Sequence, residues 1–321
     1  MLGPFSYERA DSIDGAVRAA ERGARIHAGG TDLLGCLRDG VFTANRLVSL
    51  TGVGELRGIR PTPDGGLRLG ALVTLAEIAA EPGIRERYRA LAEAAWSAAS
   101  PQLRNQGTLG GNLCQRPRCW YFRGEFHCLR KGGDTCYAAA GENRYHCLFG
   151  GAGCYIVHPS DTAPALAALG ARVGIAGPRG ARTVPVESFF VLPAVDVTRE
   201  TVLEPGEIVT EVLLPPPAPD LRSTYRKVRE RGAWDFALVS VALALRTAGP
   251  RIAEARVVLG GVAPVPWRSE ATERALVGRT LDAATATRAG AAAVEGADPL
   301  EQNDYKVPLL GGAVAQALLA L

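Results

Sequence analysis

Five cysteines, Cys119, Cys128, Cys136, Cys147 and Cys154, fall within 36 residues of a chain that has seven in all. The intervals between them are 9, 8, 11 and 7 residues. None is the CxxC pair of a zinc ribbon. Thiolates spaced this widely can converge on one [4Fe–4S] cluster, which takes four of them. A structural zinc site and a set of buried, inert thiols are the competing readings. The stretch from Asn112 to His158 is rich in Gly, Arg and aromatic residues and has little periodicity. So long an irregular segment inside a compact domain is uncommon unless it is functional.

Two glycine pairs offer a second kind of chemistry. "AGGTDL" (Ala28 to Leu33) follows a short apolar stretch and opens a helical one, and "TLGGN" (Thr108 to Asn112) sets Gly-Gly beside a hydroxyl and an amide. Paired glycines let the backbone approach a pyrophosphate without a Cβ in the way. A helix start beside them presents free N–H groups to the anion. Either loop alone reads more readily as a plain turn; two of them in one chain bring the two readings level. Neither is GxGxxG in a doubly wound series, which excludes a nicotinamide-type Rossmann domain.

The elements around these residues read as mixed α and β. The first forty residues follow strand, helix, strand, helix, with Ser12 capping a helix that runs to Arg22. Residues 56–73 read as a hairpin turning at Pro-Asp-Gly-Gly. "TLAE" at Thr74 to Glu77 is a capping box, and residues 83–99 are a second, Ala-rich helical stretch. "QLRNQGTLGGNLCQ" reads as a glycine-punctuated loop. After the cysteine segment come a loop, an Ala-rich helix and a strand. "PPPAPD" (Pro215 to Asp220) is the best linker. "YRKV", "FALVSVALAL" and "EARVVLGGVA" read as strands beyond it, and "SEATERALVG", "LDAATATRAGAAAV" and the last dozen residues as helices. The boundary is placed at residue 220, with a C-terminal α+β unit of about 100 residues. No internal repeat is visible.

Composition sets outer bounds. The chain has 321 residues, 47% hydrophobic and 21% charged, with a net charge of +3. That is a globular composition without the basic excess of a nucleic-acid or membrane-surface binder. Three of the 36 basic residues are lysines, Lys131, Lys227 and Lys306. The start has early acidic residues and no apolar h-region, and no apolar run is long enough to span a bilayer. A cytoplasmic setting is expected, where clustered cysteines serve metal or redox chemistry.

In order along the chain, "AGGTDLL", "QLRNQGTLGGNLCQ", "HPSDTAPAL", "YRKVRERGAWDFALVSVA" and "LGGVAPVPWR" resemble the FAD-binding medium subunit of the xanthine oxidase family of molybdenum hydroxylases. The resemblance implies an α+β fold. Its parts would be a two-part FAD-binding domain of vanillyl-alcohol-oxidase type over residues 1–219, with subdomains of about 1–55 and 56–219, and a smaller C-terminal α/β domain over 220–321. "RCWYF", "HCLRKGGDTC" and "GCYIVHPSD" resemble the ligand-bearing stretches of the subset with an extra [4Fe–4S] cluster. That subset includes three-subunit aldehyde oxidoreductases and 4-hydroxybenzoyl-CoA reductase. The insert would span residues 113–157, and its ligands would be Cys119, Cys128, Cys136 and Cys154, with Cys147 outside the pattern.

The same resemblance implies a set of FAD contacts. Arg25, Ile26, His27, Ala28, Gly29, Gly30, Thr31, Asp32 and Leu33 would wrap the pyrophosphate. Gly107, Thr108, Leu109, Gly110, Gly111 and Asn112 would form the second phosphate loop. Asp161 would accept a hydrogen bond from the cofactor's hydroxyl-bearing part. Ile208 would touch the flavin, and Lys227 would be its basic partner, since an ammonium and a guanidinium are not interchangeable at a tight site.

The implied role is electron transfer: from two [2Fe–2S] clusters of a small subunit to this FAD, then to an external acceptor. A large subunit with a molybdenum cofactor would oxidise the substrate, an aldehyde in the first reading, a purine or an aromatic acyl-CoA thioester in the alternatives. The rivals are a stand-alone FAD oxidoreductase and a zinc- or cluster-stabilised binding module. Export of the folded complex, with a signal on the small subunit, is the alternative location.

Overall fold

The structure is a computed structural model describing residues 2–321. Its N-terminal portion begins with a three-stranded parallel sheet of β1 (Ser6–Arg9), β2 (Arg25–His27) and β3 (Arg46–Ser49), ordered β1-β3-β2. Helix α1 (Ile13–Glu21) begins at Ser12, whose Oγ accepts the Gly15 N–H at 3.2 Å. It buries Ala16, Val17 and Ala19 in a small core shared with Val48, Leu50 and Leu56. Strand β2 ends directly in the Ala28-Gly29-Gly30 turn, and α2 (Leu33–Arg38) leaves it. The loop therefore sits at the carboxyl end of a parallel strand, where α/β sheets hold ligands.

A five-stranded antiparallel sheet follows. Its strands are β4 (Ile59–Pro61), β5 (Leu67–Gly70), β6 (Arg172–Gly177), β7 (Gly180–Pro185) and β8 (Ile208–Leu214), ordered β4-β5-β8-β6-β7. Helices α3 (Leu75–Ala80), α4 (Pro82–Arg87) and α5 (Arg89–Ser97) come after the hairpin. The capping box forms at Thr74 with Glu77. The 83–99 stretch is two helices, because Tyr88 leaves helical geometry between α4 and α5.

"QLRNQGTLGGNLCQ", read as a loop, is two short helices, α6 (Pro101–Gln106) and α7 (Leu109–Leu113). The caps decide it. Ser100 precedes a proline in the first turn, a favourable start, and Thr108 Oγ1 accepts the Gly111 N–H at 3.3 Å. Two runs of three glycines or amides, Asn105-Gln106-Gly107 and Gly110-Gly111-Asn112, concealed those caps. The cysteine segment adds one α-helical turn, α8 (Trp120–Arg123), and one 3-10 turn (Leu129–Lys131), and is otherwise irregular. Helix α9 (Thr162–Ala168) is buried at every position, and its small side chains let it pass between layers.

The C-terminal portion is an antiparallel sheet of β9 (Arg222–Val228), β10 (Val239–Ala248), β11 (Arg251–Gly260) and β12 (Trp267–Arg268), covered by α10 (Glu270–Leu276), α11 (Ala283–Ala292) and α12 (Lys306–Leu319). Strand β10 shows why its sequence is apolar throughout. Val239, Val241, Leu243 and Leu245 enter the core under α11 and α12, while Ala242 and Ala244 face the N-terminal core. The period of two is kept with both faces covered. Burying each Leu or Val fully contributes about 1.5–3 kcal/mol.

The C-terminal portion also holds the second half of the cysteine segment. Asn303 Nδ2 donates to the carbonyls of His146 and Cys147, both at 3.1 Å. Lys306 Nζ, fully buried, donates to Tyr145 O, His146 O and Gly261 O at 3.2, 3.0 and 2.7 Å. Residues 143–147 are thus ordered by protein groups.

Candidate functional site

The two glycine turns meet. A Cβ on Gly29 would stand 1.8 Å from the carbonyl oxygen of Gln106, so only glycine lets the first loop touch the end of α6. Gly30 has a φ of +72°, in the left-handed region that glycine favours. The second turn is equally fixed: Leu109 N–H donates to Val73 O at 2.8 Å and Gly110 N–H to Ala71 O at 2.9 Å.

Between these turns and the later strands runs a trough of three adjoining cavities. The first, about 240 Å³, lies between residues 25–33, Gly110, Gly111 and Ile208. It shares Thr31, Asp32, Thr108 and Gly111 with a second of about 320 Å³. That one shares Arg118, Asp161, Arg231 and Phe236 with a third of about 720 Å³. Each is in the range of small-molecule sites or just below it, and together they suit an elongated ligand with a charged middle.

The expected contacts fall unevenly along the trough. Arg25, Ile26 and Ala28 to Leu33 line the first cavity, and Gly107, Thr108, Gly111 and Asn112 the second. Asn112 Oδ1 accepts from Ser160 Oγ at 2.5 Å and from Thr162 Oγ1 at 2.6 Å, which ties α7 to the Ser-Asp loop. Leu109 is wholly buried in the core, so it can offer a ligand only its backbone. His27 turns its ring edge-on against Tyr7 and lines none of the cavities. Asp32 lines the trough, yet its carboxylate is taken by the Arg116 N–H at 2.7 Å, Arg123 at 2.7 Å and Arg118 at 2.9 Å. Those arginines offset its charge where phosphates would lie. Ile208 and Lys227 are not brought together: Ile208 lines the first cavity and Lys227 lines none.

Lys227 reaches the trough through Asp161. Its Nζ donates to Asp161 Oδ2 at 2.8 Å, while Tyr225 OH donates to Oδ1 at 2.6 Å. Burial first, and then the Asp161 charge, push the Tyr225 phenol well above 10, so it stays a donor. With both charges nearly excluded from water, Lys227→Met leaves a buried carboxylate without its cation. A loss of about 3–5 kcal/mol is expected, read as a lower midpoint in chemical unfolding. An unchanged midpoint would contradict the pair's structural role.

His158 lines the third cavity and is buried against the edge of Phe190. Burial lowers its pKa to about 3. In the unfolded chain the group titrates near 6.5, so unfolding takes up a proton below that pH. Its contribution is present in full above about 6.5 and declines as pH falls toward 3, by about 1.4 kcal/mol per unit. Unfolding free energies measured from pH 7 to 5 should fall more steeply for the native chain than for His158→Gln.

A separate, much smaller cavity of about 20 Å³ is lined by Cys119, Cys128, Cys136 and Cys154 with Phe122, Ile156, Arg130 and His146. Cys147 is not part of its wall; its Sγ packs beside Gly151. Among the described residues no three His, Cys, Asp or Glu side chains stand close enough to share a single metal ion. Two buried nitrogens beside the cavity, Arg130 Nη2 and His146 Nδ1, have no partner among the described residues. Four thiols, a largely apolar wall and an unpartnered guanidinium N–H are the chemistry an iron–sulfur cluster takes. Burial raises the Cys119 thiol to about 11 and shifts Cys136 upward, so metal loading would release protons.

Arg118, Arg130, Glu200 and Tyr225 escaped the sequence reading. Nothing separated those arginines from thirty others. Tyr225 stood two residues from Lys227 on the same face of a strand, a signal that could have found it.

A mixed α/β chain with a trough between two glycine turns has the architecture of a dinucleotide-binding flavoprotein. Residues 3–217 match the FAD binding domain in molybdopterin dehydrogenase, and residues 223–321 the CO dehydrogenase flavoprotein C-terminal domain. The aldehyde oxidoreductase FAD-binding subunit PaoB of Escherichia coli K12 is 38% identical, over 98% of this chain and 97% of that protein. The carbon monoxide dehydrogenase medium chain of Hydrogenophaga pseudoflava is 28% identical over 100% and 98%. A solved structure of carbon monoxide dehydrogenase from that organism, lacking the Mo-pyranopterin moiety, superposes with a TM-score of 0.79 at 28% identity, covering 100% of this chain and 98% of that one. The chain belongs to the FAD-binding subunits of the molybdopterin dehydrogenases and is an oxidoreductase subunit of the aldehyde, CO and xanthine dehydrogenase family. No helix among the described residues is long and apolar enough to cross a membrane.

Proposed function

We propose that this chain is the electron-transfer subunit of a three-part aldehyde-oxidising molybdenum hydroxylase, with FAD in the trough and a [4Fe–4S] cluster in the four-cysteine cavity. The observation that carries the reading is the trough itself, continuous from one glycine turn past the other to Asp161. The backbone of Ala28 to Leu33 and of Gly107 to Asn112 holds the pyrophosphate. Asp161, fixed by Tyr225 and Lys227, orients the hydroxyl-bearing part, and Ile208 gives an apolar wall. FAD supplies the conversion between one-electron and two-electron carriers. Electrons arrive from two [2Fe–2S] clusters of a small subunit. A molybdenum cofactor in a large subunit oxidises the organic substrate, and an external acceptor takes the electrons away. Aldehydes are favoured as substrates by the 38% identity to an aldehyde oxidoreductase subunit. The proposed layout is a vanillyl-alcohol-oxidase-type FAD domain over residues 1–219 and a C-terminal domain over 220–321, in a cytoplasmic complex.

The test is co-expression with the small and large subunits, followed by anaerobic addition of aldehydes or purines while flavin absorption is followed. Bleaching by aldehydes in a stable three-subunit complex is expected. Bleaching by purines alone would overturn the substrate class. A well-behaved, fully active monomer would overturn the assembly.

A further inference from the structure

Arg130 comes from the short turn after Cys128, and its side chain is 1% exposed. Its Nε points at the Cys154 sulfur at 3.5 Å. Its Nη1 donates to Glu200 Oε1 at 2.6 Å and to Arg199 O at 3.2 Å. Its Nη2 is buried and has no partner among the described residues. A buried guanidinium N–H left without an acceptor costs about 1–3 kcal/mol or more. Here the same side chain lines the four-cysteine cavity, so a sulfide of a cluster held there would supply an acceptor.

The guanidinium cannot swing away. Glu200, itself 9% exposed, divides its oxygens between Arg130 and Arg116 Nε, the latter at 2.8 Å. The Arg116 backbone N–H in turn donates to Asp32 in the first glycine turn. A run of charge, buried at Arg130 and Glu200 and half-buried at Arg116 and Asp32, therefore joins the cysteine cavity to the trough.

We infer that Arg130 is a positioning residue that donates N–H groups to Cys154 and to the cluster and raises the cluster's reduction potential. The inference rests on the proposed [4Fe–4S] cluster. Hydrogen bonds to sulfur and nearby positive charge both stabilise the reduced, more negative cluster. Glu200 acts in the opposite sense, since its charge offsets that of Arg130. Reduction takes one electron from dithionite, and no bond is made or broken.

The experiment is an EPR-monitored redox titration of the purified complex, with iron and FAD counted in each sample. Arg130→Met should lower the potential of the cluster in this chain, and Arg130→Lys should recover part of the shift. Glu200→Gln should raise it, with FAD content unchanged in all three. Opposite signs mark an electrostatic role, because a merely loosened loop would not shift the two variants in opposite directions. If Arg130→Met fails to hold iron, the lysine and Glu200 variants decide the point by their signs. Unchanged potentials with iron retained, or shifts of one sign, would overturn the role of Arg130 alone. A native complex with no iron beyond that of its partner subunits would overturn the cluster, and this inference with it.

Discussion

Serine at position 128 or 136 is expected to abolish the extra iron proposed for this chain, while Cys147→Ser is expected to leave it in place. That contrast is the largest effect expected on the metal side. Cys128 and Cys136 line the four-thiol cavity. A serine hydroxyl there is a poor ligand for iron at neutral pH, because the thiolate is the species that binds. Losing one of four ligands should remove about four irons per chain and expose residues 124–137 to limited proteolysis. Cys147 is buried outside that wall, its thiol raised to about 12 by burial, and its serine variant should keep full iron. Iron analysis with EPR after dithionite reduction reads both. If Cys147→Ser loses the cluster while Cys154→Ser keeps it, the fourth ligand is Cys147.

Gly29→Val empties the trough of flavin. The added Cβ would begin 1.8 Å from Gln106 O, which is backbone held in α6 and cannot step aside cheaply. The two turns must then separate, and both proposed phosphate loops lose their shape together. FAD occupancy below about a tenth of the native value corresponds to a binding loss of roughly 1.4 kcal/mol or more at sub-saturating FAD. Gly40→Val is the control: unlike Gly29 it has a positive φ, but a Cβ there meets nothing within 4 Å, so it should cost local stability and leave the flavin. Full flavin content in Gly29→Val would contradict the placement of the cofactor between the turns.

Much of this was legible beforehand because local signals agreed with one another. Ser12 and Thr74 cap as their residue types suggest, and β10 was visible as a fully apolar strand. The glycine pairs stood out as turns in the sequence, but that they touch each other through Gly29 and Gln106 is visible only in the fold. The α6–α7 helices were not, since glycine and amide content outweighed the caps at Ser100 and Thr108. The charged run from Asp32 through Arg116 and Glu200 to Arg130 was not either: its members lie up to 168 positions apart in the chain, and only the tertiary fold makes them neighbours. Lys227 drew attention by being a lysine among arginines. What it does, holding Asp161 rather than facing the trough, depends on the register between β9 and β10, which no local pattern encodes.

The central claim is that this one chain holds both an FAD and a four-thiolate iron–sulfur cluster. The most direct measurement is flavin, iron and zinc per chain on anaerobically purified complex, with EPR after dithionite reduction. The account predicts about one FAD released by acid, about four irons beyond those of the partner subunits, and a reduced-cluster signal that Cys136→Ser removes. One zinc with no extra iron, or no flavin at all, would contradict it.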